Sequence, residues 1–272
     1  MSERPTTFLI HNLSFFDGGE HGSYHIDTDP NLVDAEVREA LHRPYIWMDQ
    51  GGTSKVYTDT EEQYVIKIPN TAEEMLARYS KWGVTFGPDK SHEGQLKEMQ
   101  ARVRKNYRSS LRAYEHFGVD TAIMHINTAP HELDETNIDG DEIAIGKLPF
   151  ILQRKAVTVG ERLEKSDSED ERARIIGQVT DHIVSLWRSD WVDGSTFFHC
   201  NMGYLNPRRS DERFIQVDTG DFVHPDRPTG DKVGIIKTYI AKSTMWLENN
   251  HPQYAAEFQQ TLTAAKEDIF GE

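Results

Sequence analysis

Three separated stretches of this 272-residue chain hold the residues best suited to chemistry. The first is Gly51-Gly52-Thr53-Ser54-Lys55-Val56-Tyr57. Glycines at a turn let backbone N–H groups close on phosphate oxygens with no side chain in the way. A tight hairpin uses the same residues with no ligand at all. The second is Lys67 in Val65-Ile66-Lys67-Ile68. An ammonium flanked by apolar residues is costly to bury unless an anion meets it, whereas on an edge strand it would point to water. The third stretch runs His199-Cys200-Asn201-Met202-Gly203-Tyr204-Leu205-Asn206 and resumes at Asp218-Thr219-Gly220. A carboxylate and an amide oxygen are both hard donors of the kind magnesium takes. Asn206 precedes Asp218 by 12 positions, and a hairpin between them would bring both to one point. Taken singly, His199 reads as a core histidine and Asp218 as a turn aspartate. Taken together, the three stretches suit one job, holding a nucleoside triphosphate and its Mg2+.

The elements that must position them follow from patterning. Residues 45–69 read as strand–turn–strand, from Tyr45-Ile46-Trp47-Met48 through an acidic turn at 59–62 to a last strand that Pro69 ends. Thr71-Ala72-Glu73-Glu74 is a capping box. Leu96, Met99, Val103, Tyr107, Leu111 and Tyr114 recur every three or four residues, which predicts a helix over about 93–117 with a core-facing stripe and Gly118 as its stop. Residues 121–126 and 143–153 read as strands. The acidic link between them fails as a calcium loop: Glu135 stands where Asp or Asn is expected, and Gly146 where the bidentate Glu belongs. It reads as a solvated hairpin. Overlapping capping boxes at Ser166–Glu169 and Ser168–Glu171 open a helix whose apolar face carries Ala173, Ile176, Val179, Ile183, Leu186 and Trp187. A turn at Asp193-Gly194, a short strand ending at His199 and a second strand over 214–217 follow. The last fifty or so residues read as helical, with Pro252 separating two helices. Residues 1–45 are mixed, with turns such as Asp17-Gly18-Gly19.

Lys and Arg number 30 and Asp and Glu 45, a net charge of −15. That excludes general nucleic-acid binding, which needs a basic face. Hydrophobic residues make up 37% of the chain, enough for a sizeable core and too many for a disordered protein. No apolar run approaches the roughly 18 residues of a membrane helix, so no membrane insertion is expected. Phe8-Leu9-Ile10 is too short for a signal-peptide core. The single Cys200 has no internal disulfide partner, which suits a reducing compartment. The reading is a cytoplasmic protein, with delivery into a host cell left open.

In its order of motifs the chain resembles the protein-kinase-like superfamily, whose catalytic loop H-x-D-x-x-x-x-N precedes a metal-binding D-x-G. His199 and Asn206 match the ends of that loop, Asp218 and Gly220 the metal motif, Gly51 and Val56 the glycine loop, and Lys67 the strand lysine. The departures are Asp49 and Ser54 at the outer glycines, Cys200, and Asn201 in place of the catalytic aspartate. The resemblance implies an α+β, bilobal kinase-like fold, with a β-rich N-lobe and N-terminal extension over 1–153 and a short helical C-lobe over 154–272. It looks like a small, divergent member of bacterial or effector type. It implies that Gly51, Gly52, Ser54 and Lys67 meet phosphates, with Lys67 clamping the α- and β-phosphates. The backbone around Gln153 and Lys155 would meet adenine. Asn206 and Asp218 would hold Mg2+, and Asn201 would face the hydroxyl of an unknown acceptor. Glu98 or Glu115 would pair with Lys67. The function implied is phosphotransfer, impaired at Asn201, natively or by engineering, so that Asn201→Asp should raise turnover. A pseudokinase-type regulatory module and nucleotidyl transfer are the alternatives.

Overall fold

The computed structural model describes residues 35–83, 91–127, 132–207, 209–223 and 225–271. Residues 1–34 of the mixed segment read at 1–45, with its Gly/Asp turns, lie outside them. Two compact units divide the chain. The first takes the described residues through Tyr107 together with Ile123–Lys155, and the second takes Arg108–Ala122 and Ala156 onward.

The first unit is β-rich. After α1 (Ala35–Leu41) come β1 (Tyr45–Gln50), β2 (Ser54–Asp59) and β3 (Tyr64–Pro69), then α2 (Ala72–Lys81) and α3 (His92–Phe117), whose last ten residues belong to the second unit. The strands β4 (Ile123–Asn127), β5 (Thr136–Ile138), β6 (Asp141–Ile143) and β7 (Phe150–Arg154) complete a sheet of order β4-β7-β3-β2-β1-β5-β6. Every pairing in it is antiparallel except β1 with β5. One sheet face buries Tyr45, Tyr57, Ile66, Ile68 and Leu152 against Val37, Ala40 and Leu41 of α1. Asp59, fully buried, ends β2 by accepting the N–H groups of Gln63 and Tyr64 at 2.6 and 2.7 Å, while Arg43 pairs with its other oxygen at 3.1 Å. The acidic link forms the hairpin expected, turning through Asp139 and Gly140, both at positive φ. It also extends the sheet, because Trp47 N–H donates to the Asp139 carboxylate at 2.9 Å.

The strand expected over 143–153 is broken. Residues Ile145–Lys147 make a 3-10 turn and the strand begins only at Phe150. Pro149 offers no N–H to a ladder, and the buried Asn127 amide, donating to Gly146 O at 3.2 Å and Leu148 O at 2.6 Å, fixes the turn.

The second unit is mainly helical. β8 (Val157–Thr158) leads into α4 (Val159–Glu164) and α5 (Glu169–Arg188). Then come β9 (Val192–Asp193), the helical turn α6 (Phe198–Asn201), β10 (Met202–Leu205), β11 (Arg213–Gln216), β12 (Phe222–Val223), α7 (Thr229–Asn250) and α8 (Pro252–Phe270). Its core gathers Ile176, Val179 and Ile183 of α5 with Ile236, Tyr239 and Leu247 of α7 and Phe258 and Leu262 of α8. Of the two capping boxes expected before α5, only Ser168 caps, accepting the Glu171 N–H at 3.3 Å. The Glu171 carboxylate bonds Arg162 and Ser166 instead, because Arg162 is nearly fully buried and needs its charge met from Glu171 and Glu212. No described helix is long and apolar enough to cross a membrane.

The α+β class, β-rich first unit and helical second unit agree with the kinase-like architecture that the motif order implies.

Candidate functional site

The short strand expected to end at His199 is absent. Residues 198–201 form a helical turn anchored by buried Phe198, and the strand comes after it, as β10. This shift decides which residues meet. The Asn201 carbonyl accepts the N–H groups of Val217 at 2.6 Å and Asp218 at 3.1 Å, which fixes Asn201 beside Asp218. Asn206 lies past the far end of β10, about 13 Å along the strand from Met202 at ~3.3 Å per residue. There it is exposed, at φ 49°, and donates to Asp211 at 2.7 Å. The structure thus brings Asn201 to Asp218 and leaves Asn206 as a left-handed turn asparagine.

Asp193, whose place before Gly194 reads as a turn in the sequence, completes the cluster. Asp193 ends β9, which pairs with β12 through Asp193 and Phe222. The next residue, Gly194, donates its N–H to Asp221 O at 3.0 Å, and a Cβ there would lie 2.8 Å from that oxygen. Only glycine lets the two segments close. Asp193 is 3% exposed and Asn201 8%. One oxygen of Asp193 accepts the Ser195 N–H at 2.8 Å and the Ser195 hydroxyl at 2.6 Å. The other accepts from the Asn201 amide at 3.1 Å and, at a long 3.5 Å, from Gln216. The Asn201 amide also touches the Ser195 hydroxyl. Gln216 donates to Asp218 O at 2.8 Å, so its own carbonyl oxygen faces His182 at 3.2 Å, which makes that histidine nitrogen the donor. Burial holds His182 below its ordinary pKa and hence neutral near pH 7. Asp218 accepts the Gly220 N–H at 3.0 Å.

Burial, helped by the Asp218 charge and opposed by the donors on Ser195 and Asn201, pushes the Asp193 carboxyl up to about 6. A buried carboxyl poised near neutrality beside a second carboxylate is the pattern of a proton-handling site. The sequence signal was present: an aspartate after two apolar residues, eight positions before Asn201. His199 stacks on Trp246, with ring centroids 4.5 Å apart and planes 9° from parallel, and Cys200 is exposed.

In the first unit, Lys67 sits on β3 between β2 and β7, so it is not on an edge strand. The register sets it on one sheet face with Val56, Val65, Ile151 and Gln153. The Tyr107 hydroxyl donates to the Lys67 carbonyl at 3.3 Å. Glu98 is paired with Arg102 at 3.1 Å, and Glu115 belongs to the second unit. A different lysine, Lys55 at 6% exposure, pairs with Glu74 at 2.8 Å; the other Glu74 oxygen closes the capping box on Thr71. Gly51 and Gly52 form a turn closed on itself. Gly51 N–H donates to Ser54 O at 2.8 Å, and the buried Asn70 amide donates to both glycine carbonyls at 3.1 and 3.3 Å. Ser54 is buried at the start of β2. Gln153 is buried in β7, and Lys155 spends its N–H on Gln63 O at 2.7 Å and its ammonium on Glu62 at 3.0 Å.

No protein-family model matches the chain and no curated protein is similar to it in sequence. Among solved structures, the Rio2 kinase of Chaetomium thermophilum, in a complex with ADP/Mg2+-phosphoaspartate, matches with a TM-score of 0.45 and 12% identity over 81% of this chain. The match takes in 64% of that kinase chain.

Proposed function

We propose that the chain binds a magnesium nucleotide and transfers its terminal phosphoryl group to a hydroxyl, with Asp193, Asn201 and Asp218 at the reacting centre. The observation that carries this reading is the buried Asp193 carboxyl held 3.1 Å from the Asn201 amide, beside Asp218. The donor set suits magnesium. Among the described residues no three His, Cys, Asp or Glu side chains cluster tightly enough to hold a metal alone. A magnesium ion here would take one or two carboxylates, the amide oxygen and phosphate oxygens, which is its usual habit. Bound there, it would supply neutralisation of the charge on the transferring phosphoryl group.

Asp193 is the proton acceptor in this reading, so the loop is not degenerate: the carboxylate that position 201 lacks comes from position 193. The Asn201 amide hydrogens hold Asp193 and leave its oxygen for the metal side. Gln216, oriented by His182, links the Asp193 carboxylate to the Asp218 backbone. Within the first unit, Lys67 and the turn at Gly51, Gly52 and Ser54 are the candidates for phosphate contact, and the backbone at Gln153 the candidate for base contact. The regulatory-module alternative draws on the near-complete covering of Asp193.

Calorimetric titration with ATP, with and without magnesium, tests the reading, followed by nucleotide turnover. Magnesium-dependent binding that Asp218→Ala removes, together with turnover that Asp193→Asn removes, is the expected result. Binding without any turnover would favour the module, and binding indifferent to magnesium would end the metal assignment.

A further inference from the structure

We propose that Ser195 is an internal phosphoryl acceptor of this site, so that the chain phosphorylates itself two residues from its own proton-accepting carboxylate. The inference rests on the phosphotransfer reading of Asp193, Asn201 and Asp218.

The Ser195 hydroxyl donates to an Asp193 oxygen at 2.6 Å and also meets the Asn201 amide. A hydroxyl must lie within about 2.6–3.2 Å of the base that deprotonates it, and Ser195 meets that requirement. A turn alone would not need this contact, because the Ser195 N–H already bonds the same oxygen at 2.8 Å. The hydroxyl therefore occupies the place any external alcohol would have to take, against both the base and the amide. It either reacts there or must be displaced before another acceptor does. Ser195 is also partly exposed, and the segment after it turns outward at Phe197, which is 53% exposed.

The step balances without a further reagent. The Ser195 oxygen forms a bond to the terminal phosphorus of a nucleoside triphosphate, and its proton passes to the Asp193 carboxylate. The bond from that phosphorus to the bridging oxygen breaks, and its electron pair leaves with the nucleoside diphosphate. The product puts a phosphate dianion beside Asp193 and Asp218, where like charges repel it. Segment 194–197 is then driven off the carboxylate, which opens the site to an external hydroxyl.

The test uses the full chain with magnesium and ATP, followed by mass-spectrometric mapping of phosphate. Phosphate on Ser195 is expected, absent in Ser195→Ala, retained in Ser195→Thr, and formed on the order of 10²-fold or more slowly in Asp193→Asn. Its rate should not depend on protein concentration, and wild-type chain should leave Asp193→Asn chain unlabelled in a mixture. A second readout needs no nucleotide: carbodiimide labelling of the Asp193 carboxyl should be faster in Ser195→Ala than in wild type, with melting curves confirming that the variant is folded. Magnesium-dependent ATP turnover with no phosphate on Ser195 overturns the inference and leaves the phosphotransfer reading standing. Labelling of Asp193 that is no faster in folded Ser195→Ala overturns the covering role. Absence of magnesium-dependent nucleotide binding overturns both.

Discussion

At the scale of single residues, Asp193 is where stability and chemistry pull apart. Burial pushes its carboxyl up to about 6, well above the ordinary carboxylate range. The folded state therefore holds this proton more tightly than the unfolded one. The stabilising contribution is complete below about pH 4 and is lost as pH rises through about 6, on the order of 3 kcal/mol in total at about 1.4 kcal/mol per unit. Asp193→Asn should flatten that part of the stability profile, as read by denaturant unfolding at a series of pH values. The proposed phosphotransfer needs the ionised form, so turnover should rise through the same window and level off above it. In Asp193→Asn turnover should fall by ~10²–10⁴-fold, with magnesium–nucleotide affinity nearly kept. A variant with unchanged turnover would remove Asp193 from the mechanism. The geometry also reverses an expectation drawn from motif matching alone. Asn201→Asp places a second carboxylate about 3 Å from Asp193, where like charges cannot both ionise freely. It should lower turnover and push the pH profile upward, and a rise in turnover at unchanged pH dependence would contradict this.

At the scale of elements, two glycines control how closely the site segments approach. A Cβ on Gly194 would lie 2.8 Å from Asp221 O, and one on Gly203 would lie 2.6 Å from Val157 O. Both neighbours are backbone, which cannot swing away. Gly194→Ala and Gly203→Ala should each cost roughly 1–3 kcal/mol, and Gly194→Ala should also lose turnover, because β9 carries Asp193. Gly234→Ala in α7 is the control. A Cβ there meets nothing, and a helix-interior alanine should stabilise by roughly 0.5–1 kcal/mol. Thermal melts of the three variants check this, and equal effects at Gly194 and Gly234 would refute the packing argument. The same elements show what the sequence discloses. The Thr71–Glu74 box, the acidic hairpin and the Pro252 break are visible because each is decided locally. The pairing of β9 with β12 is not, because it joins segments 29 residues apart through two residues on each side. Asp193 therefore reads as a turn until that pairing is known. The break in the 143–153 strand depends on Asn127 in β4, and the lost half of the α5 capping box on buried Arg162. In each case a distant partner outbids a local preference.

At the scale of the whole molecule, Lys67 and the Gly51-Gly52 turn belong to the first compact unit and Asp193, Asn201 and Asp218 to the second, so the part each unit plays in nucleotide binding has to be read separately. The net charge of −15 works against an anionic ligand, so in the proposed reading magnesium would serve charge as well as geometry. A ligand that binds only the folded chain stabilises it by RT ln(1 + [L]/Kd), about 2.7 kcal/mol at a hundredfold excess over Kd. Where that stabilisation falls is informative, because local opening reports each region separately. If the acidic cluster alone held the nucleotide, amide hydrogen exchange would slow only around 193–220. If Lys67 and the glycine turn also hold it, exchange should slow in β2 and β3 as well, by a comparable factor and only when magnesium is present. Lys67→Ala should then erase the effect in the first unit, keep part of it in the second, and weaken ATP far more than adenosine, since only ATP presents the charge that an ammonium meets. Protection confined to the second unit, unchanged by Lys67→Ala, would take Lys67 out of the site and leave Asp193, Asn201 and Asp218 as its whole protein side.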